Sequence, residues 1–155
     1  MKEPNEYIIA LGSNLWNRHQ NLKVALDGMN QIGRVTLCSE WLENEPVGFE
    51  SKDSFLNGVC VLHSSLEPGE LLKRLKSIES ELGRVKKSNE GYSSRPIDLD
   101  IVWWSGGVFS SDELQIPHPS MHERSFVLGP LCEIAPDYIH PMLQKTMSEL
   151  YEQIR

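Results

Sequence analysis

Arg95-Pro96-Ile97-Asp98-Leu99-Asp100-Ile101-Val102 reads as a β-strand carrying two carboxylates inside an apolar, β-branched run. Strand side chains alternate between faces, so Asp98 and Asp100 point one way and Leu99 and Ile101 point into the opposite layer. Like charges this close raise each other's proton affinity unless a cation sits between them. Mg²⁺ prefers hard oxygen ligands and often combines one or two carboxylates with substrate phosphates. Arg95, just upstream, supplies a cation suited to phosphate oxygens. The stretch thus reads as a metal–phosphate site. The competing reading is an edge strand whose outward acids discourage edge-to-edge pairing.

The elements around this strand set the fold class. Tyr7-Ile8-Ile9-Ala10-Leu11 is a short apolar run ending at Gly12-Ser13-Asn14, which predicts a buried strand and a turn. Leu22, Ala25, Leu26 and Met29 then form a helical stripe that Gly33 ends. Val35, Leu37 and Trp41 predict one face of a second strand, with Cys38 on the other. Residues 43–53 read as a loop, and residues 55–62 as a strand with Phe55, Asn57, Val59 and Val61 on one face. Pro68 suits the first turn of a second helix with the stripe Leu71, Leu72, Leu75, Ile78 and Leu82, and Gly83 is placed at its C′ position. Residues 84–94 are polar and aperiodic and read as a mobile loop. After the Asp98–Trp104 strand, Gly106-Gly107 predicts a hairpin turn, and helical regions are expected over about 123–134 and 147–154. The order strand, helix, strand, strand, helix, strand is that of a ferredoxin-like α+β sandwich. It predicts an antiparallel βαββαβ sheet with helices on one face, a C-terminal helical extension, and a single domain over residues 1–155.

Composition narrows the function classes. A formal net charge of −7 argues against general nucleic-acid binding, which needs a basic surface. No apolar run approaches the ~18 residues of a membrane span. Met1-Lys2-Glu3-Pro4-Asn5-Glu6 lacks the apolar core of a signal peptide. Cys38, Cys60 and Cys132 form no CxxC pair, so reduced, buried thiols in a cytoplasmic protein are expected.

The chemistry must come from side chains. There is no GxxxxGK[ST] and no GxGxxG, so neither a P-loop nor a Rossmann site is supported. Arg84, Lys86 and Arg95 flank the polar loop and could supply countercharge to phosphates; a solvated basic loop is the plainer alternative. In Pro117-His118-Pro119 the prolines fix the direction of His118, which could bind phosphate as a hydrogen-bond donor with Arg124 nearby in sequence; a rigid turn with a surface histidine is the other reading. Phe55 and Asn57 on one strand face can stack on a flat heterocycle and hydrogen-bond its edge, although core packing accounts for the same pattern.

Several segments, taken in order, resemble one family: Leu11-Gly12-Ser13-Asn14, Glu79-x-x-Leu82-Gly83-Arg84, Arg95-x-x-Asp98-Leu99-Asp100-Ile101-Val102, Pro117-His118-Pro119, Met121-His122-Glu123-Arg124-x-Phe126-Val127-Leu128 and Pro130-Leu131-x-Glu133-Ile134-Ala135-Pro136. The family is 6-hydroxymethyl-7,8-dihydropterin pyrophosphokinase of folate biosynthesis. The resemblance runs from about Tyr7 to the C-terminus. It implies a monomer that transfers pyrophosphate from ATP to the pterin hydroxymethyl group, giving AMP and the pterin diphosphate. Asp98 and Asp100 match the carboxylates that hold two Mg²⁺ ions with ATP, and Asp100 would assist deprotonation of the hydroxyl. Arg84 and Arg95 match loop arginines that stabilise the transferring charge. Glu79, Lys86, Ile101, His118 and Arg124 would join them around ATP. Asn44, Pro46, Val47, Gly48, Phe55, Asn57, Tyr92 and Phe126 match the pterin pocket, with the ring sandwiched between Phe126 and the loop aromatic. Two other readings share these features. A ferredoxin-like binding module would not need the aspartate pair together with Arg84 and Arg95, and a Mg²⁺-dependent nucleotide hydrolase would release phosphate without pterin.

Overall fold

Strand β1, Asn5–Ser13, runs through the middle of the molecule because both of its faces are apolar. Tyr7, Ile9 and Leu11 enter one core and Ile8 enters another, each nearly or fully buried. The computed structural model describes residues 4–15, 17–44, 55–83 and 96–155, with backbone alone at Asn44.

Helix α1 (Arg18–Ile32) begins where the Asn17 side chain accepts the N–H of Gln20, and it buries Leu22, Ala25 and Met29 of the stripe read from sequence, with Leu26 partly buried beside them. Strands β2 (Arg34–Cys38) and β3 (Leu42–Asn44) follow. Both pair antiparallel with β4, Phe55–Ser64. Ser39 keeps the interval between them tied to β4: its backbone N–H donates to Val59 O at 2.9 Å, and the Val59 N–H donates to Ser39 Oγ at 2.9 Å. Helix α2 (Pro68–Glu81) has proline at its N-terminus and buries Leu71, Leu75 and Ile78. Gly83, just beyond it, has φ +91, the left-handed conformation that favours glycine at a helix end. Strand β5, Asp98–Trp104, pairs antiparallel with β1.

The main sheet has the order β2-β4-β1-β5, with β3 extending the β2 side. Counting β2 and β3 as one interrupted strand, this is the ferredoxin-like arrangement. Helices α1 and α2 pack against one face over Tyr7, Ile9, Leu11, Leu62, Leu99 and Ile101. Beyond β5 come the short pair β6 (Phe109–Ser110) and β7 (Gln115–Ile116), a 3₁₀ turn at Met121–Glu123, and helix α3, Ser125–Ile134. Strands β8 (Ile139–His140) and β9 (Lys145–Thr146) form a hairpin before helix α4, Met147–Ile154. Helices α3 and α4 form the expected C-terminal extension. They cover the far part of the second face, burying Ile8, Val59, Val61 and Val102 against Val127, Leu128, Leu131, Met147 and Leu150.

Four local readings change. A register shift between Val35 and Leu37 inserts Thr36 as a bulge, so Val35 packs against the core while Leu37 is 49% exposed. Trp41 lies outside β2, with its ring against the backbone of Gly58. Residues 42–44, partly read as loop, form β3 because they complete hydrogen bonds left open on β4. Gly106-Gly107 does turn the chain, but the strand that follows pairs with β7 rather than β5, so no β5–β6 hairpin forms. Among the thiols, Cys60 is buried, whereas Cys38 opposite it on β4's neighbour is exposed and Cys132 half-buried.

Candidate active site

The site lies where β1 ends, β4 begins and β5 begins. The register sets Gly12 opposite Asn57 on one side and Asp98 on the other, with Ala10 opposite Asp100. Paired residues in an antiparallel ladder share a face. Asn57, Gly12, Ala10, Asp98 and Asp100 therefore share one face, on the end that α3 and α4 leave open. Leu99 and Ile101 point into the core beneath α1 and α2, as the alternation in Asp98-Leu99-Asp100-Ile101 demands. Asp98 is half-buried and Asp100 exposed.

Two clefts meet at this carboxylate pair. The first, about 640 Å³, has Phe55 and Asn57 on one wall and Arg124 and Phe126 on another, with Asp98, Asp100 and His118 between. The second, about 470 Å³, runs from Asp98, Asp100 and His118 toward Lys76 and Glu79 of α2 and the segment from Ser111 to Gln115. Ile101 also lines it. One cleft offers a flat aromatic and amide surface; the other is lined mainly by polar and charged groups.

Gly12 makes the first cleft possible. A Cβ there would stand 2.7 Å from Asn57 Oδ1 and 3.5 Å from Phe55, so a larger residue would drive into the amide. The Arg124 guanidinium lies 5.7 Å from the centre of the Phe126 ring, a cation–π distance that packs these two side chains together. The backbone N–H of His118 donates to Val102 O at 3.0 Å, which ties the proline-flanked turn to β5. His118 Nδ1 accepts the N–H of Ser120 at 3.1 Å. Burial, and then the neighbouring Arg124 charge, hold this imidazole below its ordinary pKa, so the ring is neutral near pH 7. With Nδ1 engaged as acceptor, the proton resides on Nε2, and the ring offers a donor for an anionic oxygen.

Mg²⁺ fits these residues. Asp98 and Asp100 are hard oxygen donors on one strand face, open to both clefts. Among the described residues no group of three or more His, Cys, Asp or Glu side chains could hold a metal. Two carboxylates make part of a coordination sphere, an arrangement suited to a cation that arrives with phosphates and water.

Of the residues singled out from sequence, the first cleft gathers Phe55, Asn57, Asp98, Asp100, His118, Arg124 and Phe126. The second gathers Glu79, Asp98, Asp100, Ile101 and His118. Glu79 is buried at 7% exposure and its Oε2 accepts the backbone N–H of Leu99 at 2.8 Å. Arg84, Lys86, Tyr92, Arg95, Pro46, Val47 and Gly48, and the side chain of Asn44, lie outside the described residues. Sequence reasoning missed the structural part of Gly12, although a glycine closing an apolar strand was a usable signal. It also missed the Ser111 to Gln115 wall, a polar turn with no pattern of its own.

The sequence matches a family model described as 7,8-dihydro-6-hydroxymethylpterin-pyrophosphokinase (HPPK) over residues 8–136. The chain belongs to the HPPK family. A 2-amino-4-hydroxy-6-hydroxymethyldihydropteridine pyrophosphokinase of Porphyromonas gingivalis is 46% identical over 138 residues, covering 86% of this chain and 92% of the relative. The folic acid synthesis protein FOL1 of Dictyostelium discoideum is 38% identical over 146 residues, 94% of this chain but 22% of that protein. Among solved structures, an HPPK-DHPS of Plasmodium falciparum superposes with a TM-score of 0.77 at 16% identity, over 98% of this chain and 45% of that one. This likeness establishes the fold, and the chain spans less than half of such HPPK-DHPS structures. The HPPK match begins inside β1 at Ile8, takes in the other strands of the main sheet and both walls of the clefts, and ends just beyond α3.

Proposed function

We propose that this HPPK chain transfers pyrophosphate from ATP to the hydroxymethyl group of 6-hydroxymethyl-7,8-dihydropterin, releasing AMP and the pterin diphosphate for folate biosynthesis. The observation that carries this reading is the meeting of two unlike clefts at Asp98 and Asp100. The pterin would occupy the first, stacked against Phe55 and Phe126, with the Asn57 amide reading its polar edge. ATP would occupy the second, its triphosphate reaching the shared wall.

Asp98 and Asp100 would hold Mg²⁺, with two ions proposed on the family resemblance. The metal supplies charge neutralisation for the triphosphate and an orienting template for its oxygens. The chain's own groups do the rest. Asp100 takes the proton of the pterin hydroxyl as that oxygen bonds to the β-phosphorus and the bond to the AMP oxygen breaks. His118 donates from Nε2 to a phosphate oxygen, and Arg124 adds positive charge at the same rim. Arg84, Lys86 and Arg95 are proposed to bring further countercharge, and Asn44, Pro46, Val47 and Tyr92 to complete the pterin pocket. These assignments rest on the family pattern alone.

We further propose that residues 1–155 form one catalytic domain, acting as a monomer in the cytoplasm. Its three cysteines are free thiols, the state that a reducing compartment maintains. Among the described residues no helix is long and apolar enough to cross a membrane.

The test is a product balance. Protein, Mg²⁺, ATP and 6-hydroxymethyl-7,8-dihydropterin are incubated, and AMP is measured against ADP and phosphate. Pterin-dependent AMP without free phosphate is expected. ADP or phosphate formed without pterin points instead to a kinase or a hydrolase.

A further inference from the structure

Glu79 is a buried acid that the proposed chemistry does not consume. It sits on α2, 7% exposed, in the wall of the second cleft. A carboxylate at such depth is costly unless it is hydrogen-bonded. Its Oε2 accepts the backbone N–H of Leu99 at 2.8 Å. Leu99 is the residue between Asp98 and Asp100. Among the described residues β5 ends the sheet, so amides on its outer edge have no strand to receive them. Glu79 takes the place of that strand at the peptide that joins Asp98 to Leu99, the residue between the two carboxylates.

We propose that Glu79 is a positioning residue: by clamping the Leu99 amide from α2 it fixes the spacing and direction of Asp98 and Asp100 for the cation. The inference rests on reading those two aspartates as cation ligands, and it gives Glu79 a different part from the nucleotide contact that family resemblance implies. Two physical arguments favour the clamp. The observed bond already occupies one carboxylate oxygen with a backbone donor. A second negative group turned toward a triphosphate would also repel it. Groups that hold metal ligands in place typically change metal affinity or activity by about 10–100-fold when removed.

The clamp needs an acceptor, not a charge, and that separates it from a ligand role. Mg²⁺ with α,β-methylene-ATP is titrated calorimetrically into wild-type protein, Glu79→Ala and Glu79→Gln. Exchange protection of the Leu99 amide is followed by NMR in the metal-free proteins. Glu79→Ala should weaken Mg²⁺ binding by about 10-fold or more and expose the Leu99 amide. Glu79→Gln should retain both to within about threefold, since its side-chain oxygen still accepts the N–H. If Glu79→Ala does not fold, Glu79→Gln decides alone. A protected Leu99 amide with near-normal Mg²⁺ affinity supports the clamp, and a protected amide with affinity lost overturns it. Unchanged Mg²⁺ binding in Glu79→Ala also overturns it. Wild-type protein that binds no Mg²⁺ with the nucleotide overturns the aspartate reading itself, and the clamp with it.

Discussion

Gly12 and Asn57 face each other across the β1–β4 ladder, and both line the first cleft. A methyl group at Gly12 would meet Asn57 Oδ1 at 2.7 Å, so Gly12→Ala should turn the amide away from its position. The same loss should follow from Asn57→Ala, which removes the amide. Both variants are expected to weaken pterin binding by roughly tenfold, about the worth of one hydrogen bond left unmade, while ATP affinity stays unchanged. Fluorescence titrations with each ligand separately check this, and equal weakening of both ligands would move Asn57 out of the pterin pocket. The aspartates should behave in the opposite way. Asp98→Ala or Asp100→Ala should abolish most turnover and raise the Mg²⁺ requirement, and near-normal turnover in either variant would end their assignment as cation ligands.

At the scale of elements, the clearest sequence signals belonged to elements whose burial is one-sided and local. The stripe of α2 and the glycine behind it could be read directly because helix periodicity and a left-handed C′ position leave marks at fixed spacings. The strand faces of Phe55–Asn57 and Asp98–Asp100 were equally legible from period-two alternation. The broken second strand was not, because the Thr36 bulge and the side-chain tether at Ser39 arise from pairing with β4, sixteen or more residues away in the chain. Nor was the cleft wall from Ser111 to Gln115, which owes its place to packing beside the sheet, whereas Arg124 and Phe126 of the opposite wall were singled out through the family pattern. Helix α4 adds a testable local case. Thr146 and Glu149 form a reciprocal capping box at its start, with Thr146 Oγ1 accepting the Glu149 N–H at 3.1 Å and Glu149 Oε1 accepting the Thr146 N–H at 2.9 Å. Thr146→Ala should lower unfolding stability by about 0.5–2 kcal/mol in urea, with product formation unaffected.

For the molecule as a whole, pH dependence follows from two histidines held neutral. Burial first, then Arg124 in one case and His122 in the other, place His118 and His140 below the ordinary value of 6.5. His140 Nδ1 also accepts the N–H groups of Met142 and Leu143, at 3.2 and 3.1 Å, and protonation there breaks both bonds. A base whose folded pKa is depressed binds fewer protons folded than unfolded, so stability rises with pH across that window. The contribution of these two groups is complete above about pH 6.5 and is lost as pH falls from there toward their folded pKa values. Urea midpoints measured between neutral and mildly acidic pH should decline on the acid side, and His140→Asn, which keeps an acceptor without a titrating ring, should flatten the decline. The shared wall has a consequence of another kind. Because Asp98 and Asp100 border both clefts, a single tethered molecule could fill the two at once, its second half held at high effective concentration by the first. On the proposed assignment, an inhibitor gripping the carboxylates themselves would leave little room for resistance, since a substitution that sheds the drug there would also remove the acids proposed to hold the cation.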